Sequence, residues 1–152
     1  MKKRILILGP INRNKKIFDF LSKNYSVHIT DSKINQSFIK LNKIDYLITS
    51  GYAYLIKKNI LKILKKSINL HISFLPFGRG IMPNVWSFYE GYPSGISIHE
   101  LNDKFDSGKI LIQKKINFKN FKNQTLKSTH DYLIYQLEKF FIKNVDKIFN
   151  NQ

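Results

Sequence analysis

The sequence predicts an α/β protein, a mostly parallel sheet flanked by helices, as one domain over residues 1–152. Three observations carry that expectation. Short apolar runs ended by turn residues alternate with stretches of helical periodicity through residue 66, the pattern of strand–crossover–strand units. The strand candidates are near-continuous apolar runs, as strands covered on both faces are. The 152 residues suffice for one real core and are too few for two ordinary domains.

In chain order, Ile5–Leu8 is a four-residue apolar run stopped by Gly9-Pro10, which fits a first buried strand. The loop Gly9–Asn14 leads into a helix whose apolar face is Ile17, Phe18 and Leu21, with Asn12 or Asn14 as its cap. No Gly-x-Gly-x-x-Gly follows the strand, so a dinucleotide fingerprint is absent. Ser26–Thr30 reads as a second strand, and Ile34, Phe38 and Leu41 have the spacing of a short helix. Tyr46-Leu47-Ile48 is a third buried strand, ended by Ser50-Gly51. Ile56, Ile60, Ile63 and Leu64 mark one face of a further helix. Lys57, Lys58, Lys62, Lys65 and Lys66 then form its solvated side, the last of them opposing the negative end of its dipole. Ile68–His71 is the fourth strand. Pro83–Glu90 predicts a short helix; Gly95–Leu101 and Lys109–Ile116 predict strands joined through Asp106-Ser107-Gly108. A last helix is expected from about Gln124 to Phe149, packing Leu126, Leu133, Leu137, Phe140 and Ile148 on the sheet.

The formal net charge of +16 is unevenly placed. Residues 1–66 carry 15 Lys and Arg against three acidic residues, whereas residues 67–118 carry five against four. Only three of the 26 basic residues are Arg, and base-reading surfaces favour the planar Arg fork, so nucleic acid is a disfavoured partner. No apolar run reaches the ~18 residues of a membrane span, and Gly9-Pro10 cuts the first run too short for a signal-peptide core. No membrane partner and a cytoplasmic location are therefore expected. The absence of Cys excludes disulfides and thiolate metal sites.

The chemistry concentrates between Ile68 and Gln113. Asn69 and His71 lie two apart at the end of an apolar run, a spacing that puts both on one face of a strand. In open α/β sheets ligands gather at such carboxyl ends. Asp106 stands in a turn before another apolar run. Taken singly, each has an ordinary account: a turn-forming Asn, a hydrogen-bonded core His, an Asp that caps a turn.

Their combination is more specific. Asn69-x-His71-x-Ser73, Leu75-Pro76 with Arg79-Gly80, and Asp106-Ser107-Gly108 follow one another, Asp106 lying 35 residues after His71. This series resembles the formyltransferases that use 10-formyltetrahydrofolate. The resemblance implies their Rossmann-like fold and formyl transfer from N10-formyltetrahydrofolate to a primary amine. Asn69, His71 and Asp106 would be the catalytic residues. It also implies a folate pocket lined by Tyr54, Leu55 and Ile56 and by Leu101, Asn102 and Asp103. Asn102 and Lys104 depart from the acidic-Gly chemistry usual in that last loop. No metal is implied, and no His-x-His or His-x-x-x-His pair is present. Pro83-Asn84-x-Trp86-Ser87 looks like the branch that formylates amino sugars, often nucleotide-linked. The expected partner is a small-molecule amine. The rival readings are initiator-tRNA formylation and a non-catalytic folate- or RNA-binding relative. No separate C-terminal domain is expected after residue 152, so either the substrate is small or a partner or second subunit (a homo-oligomer) completes the surface.

Overall fold

The computed structural model describes residues 2–150. Its strands are β1 (Arg4–Leu8), β2 (Ser26–Thr30), β3 (Tyr46–Thr49), β4 (Lys66–His71), β5 (Gly95–Glu100) and β6 (Ile110–Lys115). Its helices are α1 (Ile11–Leu21), α2 (Gln36–Leu41), α3 (Lys58–Leu61), α4 (Pro83–Tyr89) and α5 (Leu126–Asn150). Among the described residues the strands form a six-stranded sheet in the order β2-β1-β3-β4-β5-β6. β2, β1, β3 and β4 run parallel, and β5 and β6 add an antiparallel pair beyond β4. The α/β, mostly parallel architecture is as the alternating pattern predicts.

β1 and β3 are buried almost end to end because helices cover both faces. On one face Ile5, Ile7, Ile48, Ile68 and Leu70 pack with Ile17 and Leu21 of α1 and Leu133, Leu137 and Phe141 of α5. On the other, Leu6, Leu8 and Leu47 pack with Ile39 of α2, Ile60 of α3 and Ile56. This alternation places the carboxyl ends of β1, β3 and β4 side by side, with Thr49 opposite Asn69 and Asn69 opposite His99.

Three sequence expectations are corrected. Neither Asn12 nor Asn14 caps α1: Pro10 is the cap position, and no side chain caps it. Asn14 turns inward, its Nδ2 donating to the carbonyls of Pro10 (3.0 Å) and Ser50 (3.1 Å) and so tying the β1–α1 turn to the end of β3. The helix expected through Leu64 shrinks to the four residues of α3. Pairing Tyr46 with Lys66 requires β4 to begin there, so the chain must leave the helix after Leu61. Lys65 pairs with Asp45 (2.6 Å), and Lys66 Nζ donates to the Ile148 carbonyl (2.5 Å) in the last turn of α5, so neither caps α3 and Lys66 meets the negative end of a different helix. On α5 the buried stripe is Thr129, Leu133, Leu137, Phe141, Val145 and Ile148. Leu126 is 50% exposed and Phe140 only half-buried, because a 3.6-residue helix carries its inward face from Leu137 to Phe141.

Candidate active site

The site is assembled at the β4 carboxyl end from three separate segments. Asn69 and His71 come from β4. His99 comes from β5, where the register shifts between Ile98 and His99. Asp106 comes from the 101–109 link between β5 and β6, in a left-handed conformation (φ 47°) that Asp tolerates better than most residues. Asn102 builds that loop: its Oδ1 accepts from the Lys104 N–H (3.0 Å) and the Ser107 hydroxyl (3.0 Å).

Asp106 is the hub. Its Oδ1 accepts from Asn69 Nδ2 (2.8 Å), and its Oδ2 accepts from the Gly80 N–H (2.8 Å). His99 Nε2 lies 3.4 Å and His71 Nδ1 3.7 Å from the same Oδ1. The three ring and carboxyl side chains are nearly sealed, at 8% exposure for His71 and Asp106 and 1% for His99. Burial pushes the Asp106 carboxyl up. The contacts with His99, His71 and the Gly80 amide outweigh it and hold the group below the usual carboxylate range. Asp106 is therefore a carboxylate.

The hydrogen bonds also fix the amide and the rings. Thr49 Oγ1 donates to Asn69 Oδ1 (2.7 Å), which turns the Asn69 NH2 toward Asp106 and to within 3.2 Å of His99 Nε2. His99 Nδ1 bonds the Glu100 carbonyl (2.8 Å), which only accepts, so Nδ1 carries a proton, and its Nε2 stands between Asn69 Nδ2 (3.2 Å) and Asp106 Oδ1 (3.4 Å). By the same reasoning His71 Nε2, 2.8 Å from the Gly78 carbonyl, carries the ring proton. Nδ1 is then the bare nitrogen facing Asp106. Burial lowers the His71 pKa more than Asp106 and the Gly78 carbonyl raise it, leaving a net shift below 6.5. His71 is thus a neutral base with an acceptor toward the carboxylate. The alternative role, a proton donor into the site, would need a second proton on the ring.

These groups open into a cavity of about 880 Å³. Of the residues that the resemblance implies for a folate pocket, Tyr54, Leu55, Ile56, Leu101 and Asn102 line it, and Asp103 is exposed and lies outside the lining. Thr49, Arg13 and His130 also border the cavity and were not singled out as site residues. His99, which the family resemblance puts near the cofactor but not among the catalytic residues, stands beside Asn69 through strand pairing. No signal in a single sequence reports that cross-strand adjacency.

Comparison with known proteins then places this geometry. A model of the formyl transferase family matches residues 11–143. The chain belongs to the formyl transferase family. The formyltransferase PseJ from Anoxybacillus kamchatkensis is 36% identical and superposes with a TM-score of 0.83, covering 93% of this chain and 74% of that one. A methionyl-tRNA formyltransferase from Borreliella afzelii is 34% identical over 133 residues, covering 86% of this chain and 38% of the relative. The chain thus spans well under half the length of that curated relative. The phosphoribosylglycinamide formyltransferase of Bacillus halodurans, at 16% identity and a TM-score of 0.77, shares the fold. The formyl transferase fold expected from the motif series is the one observed.

Proposed function

We propose that this chain transfers the formyl group of N10-formyltetrahydrofolate to a primary amine carried on a sugar, with Asn69, His71 and Asp106 as its catalytic residues. The observation that carries the reading is the Asn69–Asp106 hydrogen bond (2.8 Å) with His71 alongside, at the mouth of a large cavity.

The lining suits the donor. Leu55, Ile56 and Leu101 would wall an aromatic ring, and backbone groups of the 54–56 and 101–102 segments would bind its polar edge. Bound there, the folate supplies an electrophilic carbonyl. Attack by an amine then leaves negative charge on an oxygen and positive charge on the nitrogen. Asn69 offers N–H to the oxygen, exchanging its longer contact with His99. His71 Nδ1 takes the proton from the nitrogen, and the Asp106 carboxylate stabilises the resulting imidazolium. Collapse of the tetrahedral adduct would then break the bond between the formyl carbon and N10 of the folate, N10 taking up that proton as tetrahydrofolate leaves and His71 returning to its neutral form.

A sugar acceptor is supported by the Pro83-Asn84-x-Trp86 segment and by the likeness to PseJ, whose structure holds UDP-4,6-dideoxy-4-formamido-L-AltNAc and tetrahydrofolate. The deciding experiment incubates the protein with N10-formyltetrahydrofolate and a panel of amines, and follows the mass gain of one formyl group. The panel holds free amino sugars, nucleotide-linked amino sugars and methionyl-tRNA. Formylated sugar is expected. Product on methionyl-tRNA alone would favour the second reading, which rests on the likeness to the Borreliella afzelii enzyme and on the basic first 66 residues. No product with any amine would remove the enzymatic reading.

A further inference from the structure

The motif pieces Leu75-Pro76 and Arg79-Gly80 contribute no catalytic side chain, yet the segment they span supplies two backbone groups that aim the site. Gly78 offers its carbonyl to His71 Nε2 (2.8 Å), and Gly80 its N–H to Asp106 Oδ2 (2.8 Å). Residues 75–80 form neither helix nor strand, so groups outside them must fix where that carbonyl and that N–H point.

Two side chains from the neighbouring strands do so. His71, Ser97 and Gln113 are cross-strand partners in one row over β4, β5 and β6, and residues paired in this way share a face of the sheet. Ile96 and Ile98 belong to the core that α5 covers, so Ser97 between them faces the other way. There its hydroxyl accepts from the Leu75 N–H (3.1 Å) and donates to the Ser73 carbonyl (2.7 Å). Gln113 Nε2 donates to the Leu75 carbonyl (2.9 Å) and lies 3.5 Å from Ser97 Oγ. Both main-chain groups of the buried Leu75 are thus held by side chains of β5 and β6. Ser73 continues the tie by donating to the Phe77 carbonyl (2.8 Å), one residue before Gly78. Taken alone, these bonds satisfy buried backbone groups, as any buried turn requires. Their effect on the His71 ring goes further.

We infer that Gln113 and Ser97 are positioning residues which, by holding segment 75–80, select the tautomer of His71. Which ring nitrogen of a histidine bears the proton is set by the hydrogen bonds the two nitrogens make. Nε2–H is favoured while the Gly78 carbonyl stays within reach, but the Asp106 carboxylate, 3.7 Å from Nδ1, competes for a ring proton of its own. If the segment drifts, Nε2 gives its proton to water and Nδ1 takes one up toward Asp106. The ring stays neutral but loses the bare nitrogen that would accept the proton of the amine. The inference rests on the formyl-transfer reading for what bare Nδ1 does in turnover, and on geometry alone for which nitrogen is bare.

The test reads the ring directly. Nitrogen NMR of the full chain with isotope-labelled histidine, at a pH where His71 is neutral, separates Nε2–H from Nδ1–H. Wild type is expected to show Nε2–H at His71. Gln113→Met keeps the length of the side chain and removes its donor, and should raise the Nδ1–H share several-fold. Ser97→Ala should act in the same direction. In turnover with N10-formyltetrahydrofolate and an amine found to be an acceptor, each variant should lower kcat roughly ten- to a hundredfold while tetrahydrofolate affinity stays within about twofold. The double variant should lose less than the product of the two, because both side chains act through Leu75. An unchanged tautomer in Gln113→Met and Ser97→Ala would overturn the inference, and so would losses that multiply. A wild-type ring already protonated at Nδ1 would overturn it with no variant needed. The tautomer is read without turnover, so a protein that formylates nothing would remove the catalytic reading and still decide this one.

Discussion

Both oxygens of Asp106 hold hydrogen bonds that an amide could not reproduce. Oδ1 accepts from Asn69 and Oδ2 from Gly80, so the NH2 of an Asn here would face one N–H or the other. Asp106→Asn is therefore expected to cut turnover by about 10²–10⁴ while tetrahydrofolate still binds, as steady-state kinetics beside a binding titration would show. Near-normal turnover would remove Asp106 from the chemistry. Thr49 acts one step back, by holding the Asn69 carbonyl so that its NH2 faces the site. Thr49→Val should lower kcat by roughly three- to tenfold with KM little changed, and Thr49→Ser should restore it. An unchanged kcat in the Val variant would mean that Asp106 alone orients the amide. The pH profile follows from His71. In the proposed mechanism its working form is the neutral base, and its pKa lies below 6.5 because it is buried. Activity should therefore persist as pH falls past 6.5 and fail only as it crosses the lower value. An acid limb centred above 6.5 would contradict that assignment. Asn69, His71 and Asp106 were legible in the sequence because they sit in one ordered series of motifs. Thr49 was not, and of His99 only a place near the cofactor was, since each reaches Asn69 across a strand pairing that no single segment encodes.

At the scale of elements, strand cores were easier to read than helix limits. β1 and β3 fall where their apolar runs do, because burial on both faces leaves little ambiguity, and the edge strand β2 keeps its expected bounds although none of its residues is fully buried. The helix expected after Ile56 failed because residues at helical spacing can also lie on a loop and the start of a strand. Ile56 and Ile60 are both buried, but only Ile60 is helical, and Ile63 is 38% exposed. On α5, Leu133, Leu137 and Ile148 are buried as expected, and the misses are Leu126 and Phe140. Phe141 is fully buried between the sheet and its neighbours, while Phe140 lies half-buried beside it. Phe141→Ala should cost ~3–5 kcal/mol in chemical denaturation, and Phe140→Ala clearly less. The reverse order would mean that the helix sits in the register the sequence first suggested.

Across the whole molecule, a charge of +16 coexists with a site whose acidic hub is internally satisfied. If the basic first 66 residues are only a solvated surface, turnover of a sugar acceptor should depend weakly on salt. Binding of a transfer RNA would instead fall steeply as salt rises, because each neutralised phosphate releases counterions. Measuring both between low and physiological ionic strength separates the two acceptors. No helix among the described residues is long and apolar enough to cross a membrane. Gly108 belongs to this scale as well, since it joins the hub to the sheet. A Cβ on it would sit 1.8 Å from the Glu100 carbonyl oxygen, against the main chain of the strand that carries His99. In a saturation library selected for growth, that position should tolerate nothing but hydrogen. A single added methyl would prise the β5–β6 link outward and carry the carboxylate with it, yielding proteins that stay soluble yet score as dead.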